Sequence, residues 1–363
     1  MGLVICGLAT ARPERSIEQQ AAADIARTFL TGGHQDARGL SALFRRTGVR
    51  SRGSVLLEPS NGCGPRQSFY WPASGPEDHG PATARRMDRY AEEAVPLART
   101  AAAGALKAAG IAASEISHIV TVSCTGFFSP GVDIALTKQL GLRPTVGRLH
   151  IGFMGCHGTL NGMQACRAIV DADPSAVVLL AAVELCSLHY QYGNDPEKLV
   201  ANALFADGAA ALVGRFGTGG RGNYWRVTAT GSCILPDVDD SMTWRIRDHG
   251  FEMTLSPRVP ELIARHLRSW AESWLTSAGL AIADVGSWAI HPGGPRILSS
   301  VAEALGLPPE ATETSAAVLA EHGNMSSPTV LFVLDRLQRK NSPRPCVAMG
   351  FGPGLVVEGA LIE

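Results

Sequence analysis

The stretch of sequence that sets the fold of this chain reads Leu149-His150-Ile151-Gly152-Phe153-Met154-Gly155-Cys156-His157-Gly158. Cys156 lies between a strand-like run and a helix-like run, and the glycines around it permit a tight turn between them. The free N–H groups and the positive dipole end of the following helix would face its sulfur. We therefore expect Cys156 to be a nucleophile that ionises more readily than a free cysteine, whose pKa is about 8.5.

Strand-like and helix-like runs alternate on both sides of this turn. Strand-like runs cover residues 119–122 and 176–183, and helices are predicted over residues 86–109 and 131–140. Apolar strands separated by helices are typical of a parallel sheet that is covered on both faces. The pattern predicts an α/β fold with a largely parallel, buried sheet.

The second part of the chain repeats the pattern of the first. Two pairs of segments are similar: residues 119–142 and 288–307, and residues 203–213 and 349–357. A polar, glycine-rich joint at residues 217–222 separates the two parts. We expect two pseudo-repeated halves, residues 1–217 and residues 218–363, and a site where the two halves meet.

The composition argues against several classes of function. Lys and Arg together number 32 against 33 Asp and Glu, so the net charge is near zero and nothing favours nucleic-acid binding. The eight cysteines form no C-x-x-C pair, and no apolar run reaches the roughly 18 residues of a membrane span. We expect a soluble, metal-free, cytoplasmic protein with reduced cysteines and no membrane insertion.

Three glycine-rich turns beside predicted helix starts contain Cys156, His291 and Asn324. Acyl transfer from a thioester needs a nucleophile that takes the acyl group and neutral donors that stabilise the carbonyl oxygen. If His291 and Asn324 held the carbonyl of malonyl-CoA, loss of CO₂ would leave an enolate on that oxygen without a metal or a further base. These residue types indicate a site of acyl transfer.

Other residues of reactive type have structural interpretations. Glu184 and Asp207 lie in apolar stretches, which indicates buried, paired carboxylates rather than a catalytic base. Phe205 reads most simply as a core residue. Cysteines in apolar segments usually serve packing, and we apply this interpretation to Cys6, Cys166, Cys233 and Cys346.

These motifs together resemble those of the type III polyketide synthases of the chalcone synthase-like superfamily. The matching segments occur in family order at residues 155–156, 203–210, 290–295, 323–327 and 350–355. The resemblance implies a thiolase-like, five-layered αβαβα fold built from two halves. It also implies a homodimer that loads an acyl-CoA starter, extends it with malonyl-CoA by decarboxylative condensation, and cyclises the product in the same cavity.

Carried over residue by residue, the resemblance makes Cys156 the acyl-holding nucleophile and gives His291 and Asn324 the decarboxylating and oxyanion-stabilising roles. Phe205 matches the family's gatekeeper between the CoA tunnel and the cavity. CoA thioesters are the implied substrates, and no cofactor is implied. The substrate-binding positions of the cavity read Cys124, Thr125, Cys186, His189, Trp244, Met253, Ser326 and Pro353.

The basic residues that the family places at the mouth of the CoA tunnel are only partly present. Arg46 fits one position, whereas Gly39 and Ala42 stand where basic residues are expected. A guanidinium elsewhere would compensate by binding the CoA phosphates, although a solvated basic face explains these residues equally well. The candidates are Arg38, Arg45, Arg50 and Arg52.

Residues 184–191 resemble the bacterial branch that includes alkylpyrone and alkylresorcinol synthases, which favours an aliphatic starter. Three alternatives remain. A ketosynthase III-type condensing enzyme of fatty-acid synthesis shares a Cys, His and Asn site, but residues 350–354 and 324–327 argue against it. A thiolase needs a second cysteine as base, and Cys346 lies outside such a motif. The third alternative is a catalytically silent partner subunit. Such a subunit would not need Cys156, so the presence of this cysteine argues against it.

Overall fold

Thirteen strands and ten helices form in the part of the chain that this computed structural model describes, residues 1–31, 34–59, 64–217, 224–236 and 241–363, the side chains of residues 34–38 excepted. The strands are β1 (Gly2–Ala11), β2 (Ser16–Glu18), β3 (Ser51–Gly53), β4 (His118–Ser123), β5 (Gly147–Gly152), β6 (Val177–Leu185), β7 (Asp207–Gly217), β8 (Trp225–Ile234), β9 (Met242–Arg247), β10 (Gly250–Leu255), β11 (Ser287–Ile290), β12 (Cys346–Gly352) and β13 (Val356–Ile362). The helices are α1 (Gln19–Arg27), α2 (His34–Arg46), α3 (Thr83–Ala109), α4 (Val132–Leu140), α5 (Gly158–Ala172), α6 (Pro196–Leu204), α7 (Val259–Ser277), α8 (Pro295–Leu305), α9 (Glu313–His322) and α10 (Thr329–Arg339).

Nine of the described strands form one sheet in the order β11-β12-β13-β8-β1-β7-β6-β4-β5. The expectation of a largely parallel sheet is wrong. Only the pairs β4–β5, β4–β6 and β11–β12 are parallel, and the five other neighbouring pairs are antiparallel. A strand buried on both faces has the same apolar composition in either direction, so its sequence does not reveal the pairing.

Both faces of the central strands are buried, which explains their uninterrupted apolar runs. In β6, Leu179 and Ala181 belong to one hydrophobic cluster, whereas Val178 and Leu180 belong to another. Successive side chains of a strand point to opposite faces, so each face of β6 has its own core. The sheet is therefore covered by helices on both sides.

Three hydrophobic clusters define five layers. The first joins α3 to one face of β6 and β7. The second contains side chains of α5 and α10 together with strands of both parts of the sheet. The third joins α7 and α8 to the outer face of β12 and β13. Helices, sheet, helices, sheet and helices follow one another, as the thiolase-like αβαβα fold requires.

The two parts of the sheet repeat one strand order about the β1–β8 pair. From the centre outwards the first part runs β1, β7, β6, β4 and β5, and the second runs β8, β13, β12 and β11. The segments that resemble each other at residues 119–122 and 288–290 are β4 and β11, which occupy equivalent positions. The predicted joint at residues 217–222 lies almost wholly in residues 218–223, outside the described residues, so the division after residue 217 stays a prediction.

The turn before α5 packs against the turn between β12 and β13. Gly155 has a φ of +79°, and a Cβ on it would lie 2.4 Å from Pro353 Cδ. A side chain at this position would be strained by the backbone conformation and would also clash with the second half of the chain. Only glycine lets the two halves approach this closely beside Cys156.

We predict that Gly155→Ala lowers the free energy of unfolding by about 2 to 5 kcal/mol, the sum of left-handed backbone strain and overpacking. Gly141→Ala is the matched control, because Gly141 has a φ of +73° with nothing within 4 Å of a new Cβ. This control would lose only the backbone contribution of about 1 to 2 kcal/mol. Urea unfolding measures both, and equal losses would show that the contact with Pro353 imposes no constraint.

Candidate active site

Cys156 lies in a short 3₁₀ turn, Gly155–His157, between β5 and α5. Phe153 directly follows β5 and has a φ of 62°, so the chain reverses within a few residues of the end of this strand. The side chain of Cys156 is buried. The strand, tight turn and helix predicted around this cysteine are confirmed.

His291 follows the last residue of β11. Its backbone N–H donates to the carbonyl of Met349 over 2.7 Å, which fixes it against β12. The side chain is 1% exposed, and neither ring nitrogen has a hydrogen-bond partner among the described residues. Buried polar atoms without partners are rare in folded proteins. The imidazole is therefore available to a ligand.

Asn324 follows α9 and is held by backbone contacts with the segment around Phe205. Its N–H donates to Leu204 O and its carbonyl accepts from Ala206 N, both over 2.9 Å. The side-chain Oδ1 accepts from Ser326 N over 2.8 Å. That bond identifies the oxygen of the amide, so the Nδ2 group is left to donate.

The three side chains meet in a cavity of about 470 Å³. Cys156, His291, Asn324 and Phe205 all line it, although they come from four separate segments of the chain. Nucleophile, imidazole and amide thus line one pocket, as the three glycine-rich turns suggested.

The expectation that Cys156 ionises more readily than a free cysteine is contradicted by its surroundings. Burial raises the pKa of the thiol to about 11, even though hydrogen bonds with Ser326 and Asn324 lower it. Glu184 raises it further. Burial also lowers the pKa of His291 to about 3, and His157 adds to this effect. Without substrate, desolvation favours a neutral thiol and a neutral imidazole.

A second, larger cavity of about 670 Å³ adjoins the first. Cys156, Phe205 and Met253 line both cavities, so the two spaces are neighbours that share these side chains as walls. The predicted cavity positions all line the larger space: Cys124, Thr125, Cys186, His189, Trp244, Met253, Ser326 and Pro353.

The hairpin of β9 and β10 supplies an aromatic wall. Trp244 stands opposite Met253 in the pair, and its Nε1 donates to Cys124 O over 2.7 Å. Met242 and Phe251 also line the cavity, and the sequence analysis missed both. Alternate residues of a strand share a face, so the period of two would have identified them from Trp244 and Met253.

His189 is part of this wall rather than a catalytic group. Its Nδ1 accepts from Phe251 N over 3.0 Å, so Nε2 carries the proton and donates to Thr125 O over 2.7 Å. The ring stacks on Phe251 with centroids 4.2 Å apart. Burial lowers its pKa to about 3. With both nitrogens engaged, this imidazole shapes the cavity and does not exchange protons.

Glu184 organises the floor of the cavity from beneath. Its carboxylate accepts from Cys124 N at 2.9 Å, Thr125 Oγ1 at 2.7 Å and Ser327 Oγ at 2.5 Å. Burial raises its pKa and these hydrogen bonds oppose the rise. Asp207 is likewise buried and hydrogen-bonded to Ser187. Both carboxylates are buried as predicted, with hydrogen-bond donors as partners.

Arg46 is exposed at the end of α2 and lines neither cavity. Arg45 and Arg50 are also exposed. Arg52 is buried and donates to the carbonyls of Asn202 and Phe205, so it does not belong to a solvated basic face. The side chain of Arg38 lies outside the described residues.

Within the described residues, no group of three or more His, Cys, Asp or Glu side chains is arranged to hold a metal ion. No helix in the same part of the chain is long and apolar enough to cross a membrane.

Comparison with known sequences assigns both halves of this site to one family. The sequence model described as "Chalcone and stilbene synthases, N-terminal domain" matches residues 70–216, and its C-terminal counterpart matches residues 226–363. The polyketide synthase-like Pks18 of Mycobacterium tuberculosis, named for alpha-pyrone synthesis, is 33% identical over 99% of this chain and 91% of its own length. The 1,3,6,8-tetrahydroxynaphthalene synthase of Streptomyces peucetius is 34% identical over 100% and 93%.

Solved structures give the same result. The crystal structure of PKS-I from the brown alga Ectocarpus siliculosus matches with a TM-score of 0.91 and 31% identity, over 100% of this chain and 98% of that one. The type III polyketide synthase domain of Steely1 from Dictyostelium matches with a TM-score of 0.88 and 25% identity, over 100% and 99%. The chain therefore belongs to the chalcone and stilbene synthase family and is a type III polyketide synthase.

Proposed function

We propose that this enzyme loads an aliphatic acyl-CoA on Cys156, extends it with malonyl-CoA and cyclises the product to an alkylpyrone or alkylresorcinol. One observation carries the proposal. A buried thiol, an imidazole with two unpartnered nitrogens and an amide whose Nδ2 can donate line a single cavity. Residues 1–217 would supply the thiol, and residues 218–363 would supply His291 and Asn324.

Loading begins with a proton transfer within the buried pair. His291 accepts the proton of Cys156 as the sulfur attacks the thioester carbonyl of the starter. The carbon–sulfur bond to CoA then breaks, and the CoA thiolate takes the proton from His291 as it leaves. Acid–base exchange within the pair is needed because burial disfavours the free thiolate.

Condensation uses the same two donors on malonyl-CoA. The imidazole N–H of His291 and Nδ2 of Asn324 hold the thioester oxygen while the carbon–carbon bond to the carboxylate breaks and CO₂ leaves. The electron pair forms an enolate on that oxygen. The enolate carbon attacks the acyl carbonyl on Cys156, the bond to sulfur breaks, the released thiolate takes up a proton from solvent, and the lengthened chain remains on CoA. These reaction steps use only CoA thioesters and the side chains named above, and they need no cofactor.

The larger cavity would hold the growing chain. Phe205 lines both spaces, which suits the role of a gatekeeper between the CoA entrance and the cavity. Cys124 and Cys186 are small and offer room for an alkyl tail, whereas Trp244, Phe251 and His189 form a firm aromatic wall. The alpha-pyrone named for one relative supports the same product class.

Binding of CoA and assembly of the enzyme complete the proposal. Arg46, with Arg45 beside it at the exposed end of α2, would meet the CoA phosphates. Phe127, Leu149 and Met154 leave apolar surface exposed near the edge strand β5, which suits a homodimer. The cysteines that the structure describes are all free, which suits a reducing cytoplasm.

We predict that Cys156→Ala abolishes acyl-enzyme formation, because no other described thiol lies beside His291 and Asn324 in their cavity. The wild-type enzyme and the variant are incubated with a panel of acyl-CoA starters from acetyl to long-chain, and acylation is mapped by peptide mass analysis. Acylation of Cys124 or Cys186 in the variant, at the wild-type level, would refute the assignment. Product masses after adding malonyl-CoA identify the preferred starter.

We predict that His291→Ala lowers the rate of malonyl-CoA decarboxylation about 10²- to 10³-fold, the usual cost of one lost oxyanion donor. His291→Gln is the matched variant, since its amide restores a neutral N–H donor and should recover part of the rate. Thermal unfolding of both variants provides the control for folding. Loss of the folded state in both would indicate that His291 is structural.

A further inference from the structure

A third pocket lies beneath α1, and its walls do not include Cys156, His291 or Asn324. We call it the α1 pocket. Its walls are mostly apolar and include Ile17, Ile25, Phe29, Leu56, Leu57 and Tyr70. Phe205 and Tyr190 line both this pocket and the larger catalytic cavity, so aromatic side chains stand between the two spaces. A largely apolar pocket with some polar groups in its wall is typical of a small-molecule site.

Arg52 is the charged residue in this apolar wall, and it is 2% exposed. Its Nη1 donates to Asn202 O over 2.6 Å and to Phe205 O over 3.0 Å. Its Nη2 has no hydrogen-bond partner among the described residues. A buried guanidinium with an unused donor is costly unless an anion or another acceptor completes its hydrogen bonds.

The nearby carboxylate of Asp207 does not accept a hydrogen bond from Nη2 of Arg52. Burial raises the pKa of Asp207 to about 6 and Arg52 opposes this only in part, while the two oxygens of that carboxyl group already accept from Val55 N, Ser187 N and Ser187 Oγ. The aromatic rings of Phe44 and Tyr190 face the guanidinium at 5.5 and 5.8 Å from its central carbon and stabilise its charge. The position next to Nη2 suits a carboxylate from a ligand.

We propose that the α1 pocket binds an aliphatic carboxylate, with its chain among Ile17, Ile25 and Leu57 and its carboxylate on Arg52. The ligand is either a free fatty acid or the carboxylic acid released when a chain is hydrolysed from the enzyme. Arg52 also donates to the backbone carbonyl of Phe205. A ligand bound to Arg52 would therefore contact the guanidinium that helps to position the proposed gatekeeper. Only the second source, the acid hydrolysed from the enzyme, rests on the proposed function. The α1 pocket as a carboxylate site does not.

Diffraction from the full-length enzyme crystallised with 10-bromodecanoate locates the ligand directly. An anomalous bromine peak under α1, with the carboxylate at Arg52, is the expected result. A bromine peak only beside Cys156, Cys124 or Cys186 would overturn the proposal, because the carboxylate would then occupy the catalytic cavity. Absence of bound ligand at millimolar concentration would overturn it as well.

Calorimetry with decanoate tests the role of the charge in solution. Arg52→Met should weaken binding at least tenfold, and decylamine, which has a cationic head, should not bind. Arg50→Met is the matched control, because Arg50 is exposed and pairs with Glu321. If Arg52→Met fails to fold, Ile25→Trp fills the pocket instead and should abolish decanoate binding while malonyl-CoA decarboxylation continues. Undiminished binding in Ile25→Trp would refute the site.

The two sources are separated by comparing decanoate with 3-oxododecanoate, a carboxylic acid of the kind released after one extension. Tighter binding of the 3-oxo acid supports a released product as the occupant, and equal or weaker binding supports a fatty acid. Tighter binding of either acid is consistent with the α1 pocket as the carboxylate site. Failure of both acids to bind would overturn the proposal and leave the assignment of Cys156 unaffected.

Discussion

The close packing of Gly155 against Pro353 is the contact on which the active site depends. It brings the turn that carries Cys156 from the first half against the turn between β12 and β13 of the second. The strand order repeated about the β1–β8 pair then places the end of β11, and with it His291, on the same side. Because the thiol and its partners come from opposite halves, the site exists only when both halves are packed.

Burial determines the protonation of the groups in this site and also leaves some of their polar atoms without hydrogen-bond partners. Desolvation favours the neutral forms of Cys156 and His291 in the protein without substrate. The same exclusion of water strengthens a hydrogen bond to a developing enolate. Unpartnered nitrogens on His291 and Arg52 mark places where folding leaves polar groups unsatisfied. Such departures from good packing are expected where a protein binds its ligands.

The sequence was sufficient for the parts of the site that depend on local turns. Cys156, His291 and Asn324 follow glycine-rich motifs, and the structure brings them into one cavity. The direction of the strands was not predictable, because apolar runs buried on both faces look alike whichever way they pair. The pKa of Cys156 depends on burial by distant segments, which spacing along the chain does not encode. Arg52 was grouped with surface arginines for the same reason, since its burial arises from tertiary packing.

The central claim is that groups from both halves act on one thioester carbonyl. A crystal structure of the enzyme with a non-hydrolysable malonyl-CoA analogue tests it most directly. We expect the thioester oxygen within about 3 Å of a ring nitrogen of His291 and of Nδ2 of Asn324, with the reacting carbon facing Cys156. An analogue bound with its carbonyl turned away from both donors, in an otherwise unchanged site, would contradict the account.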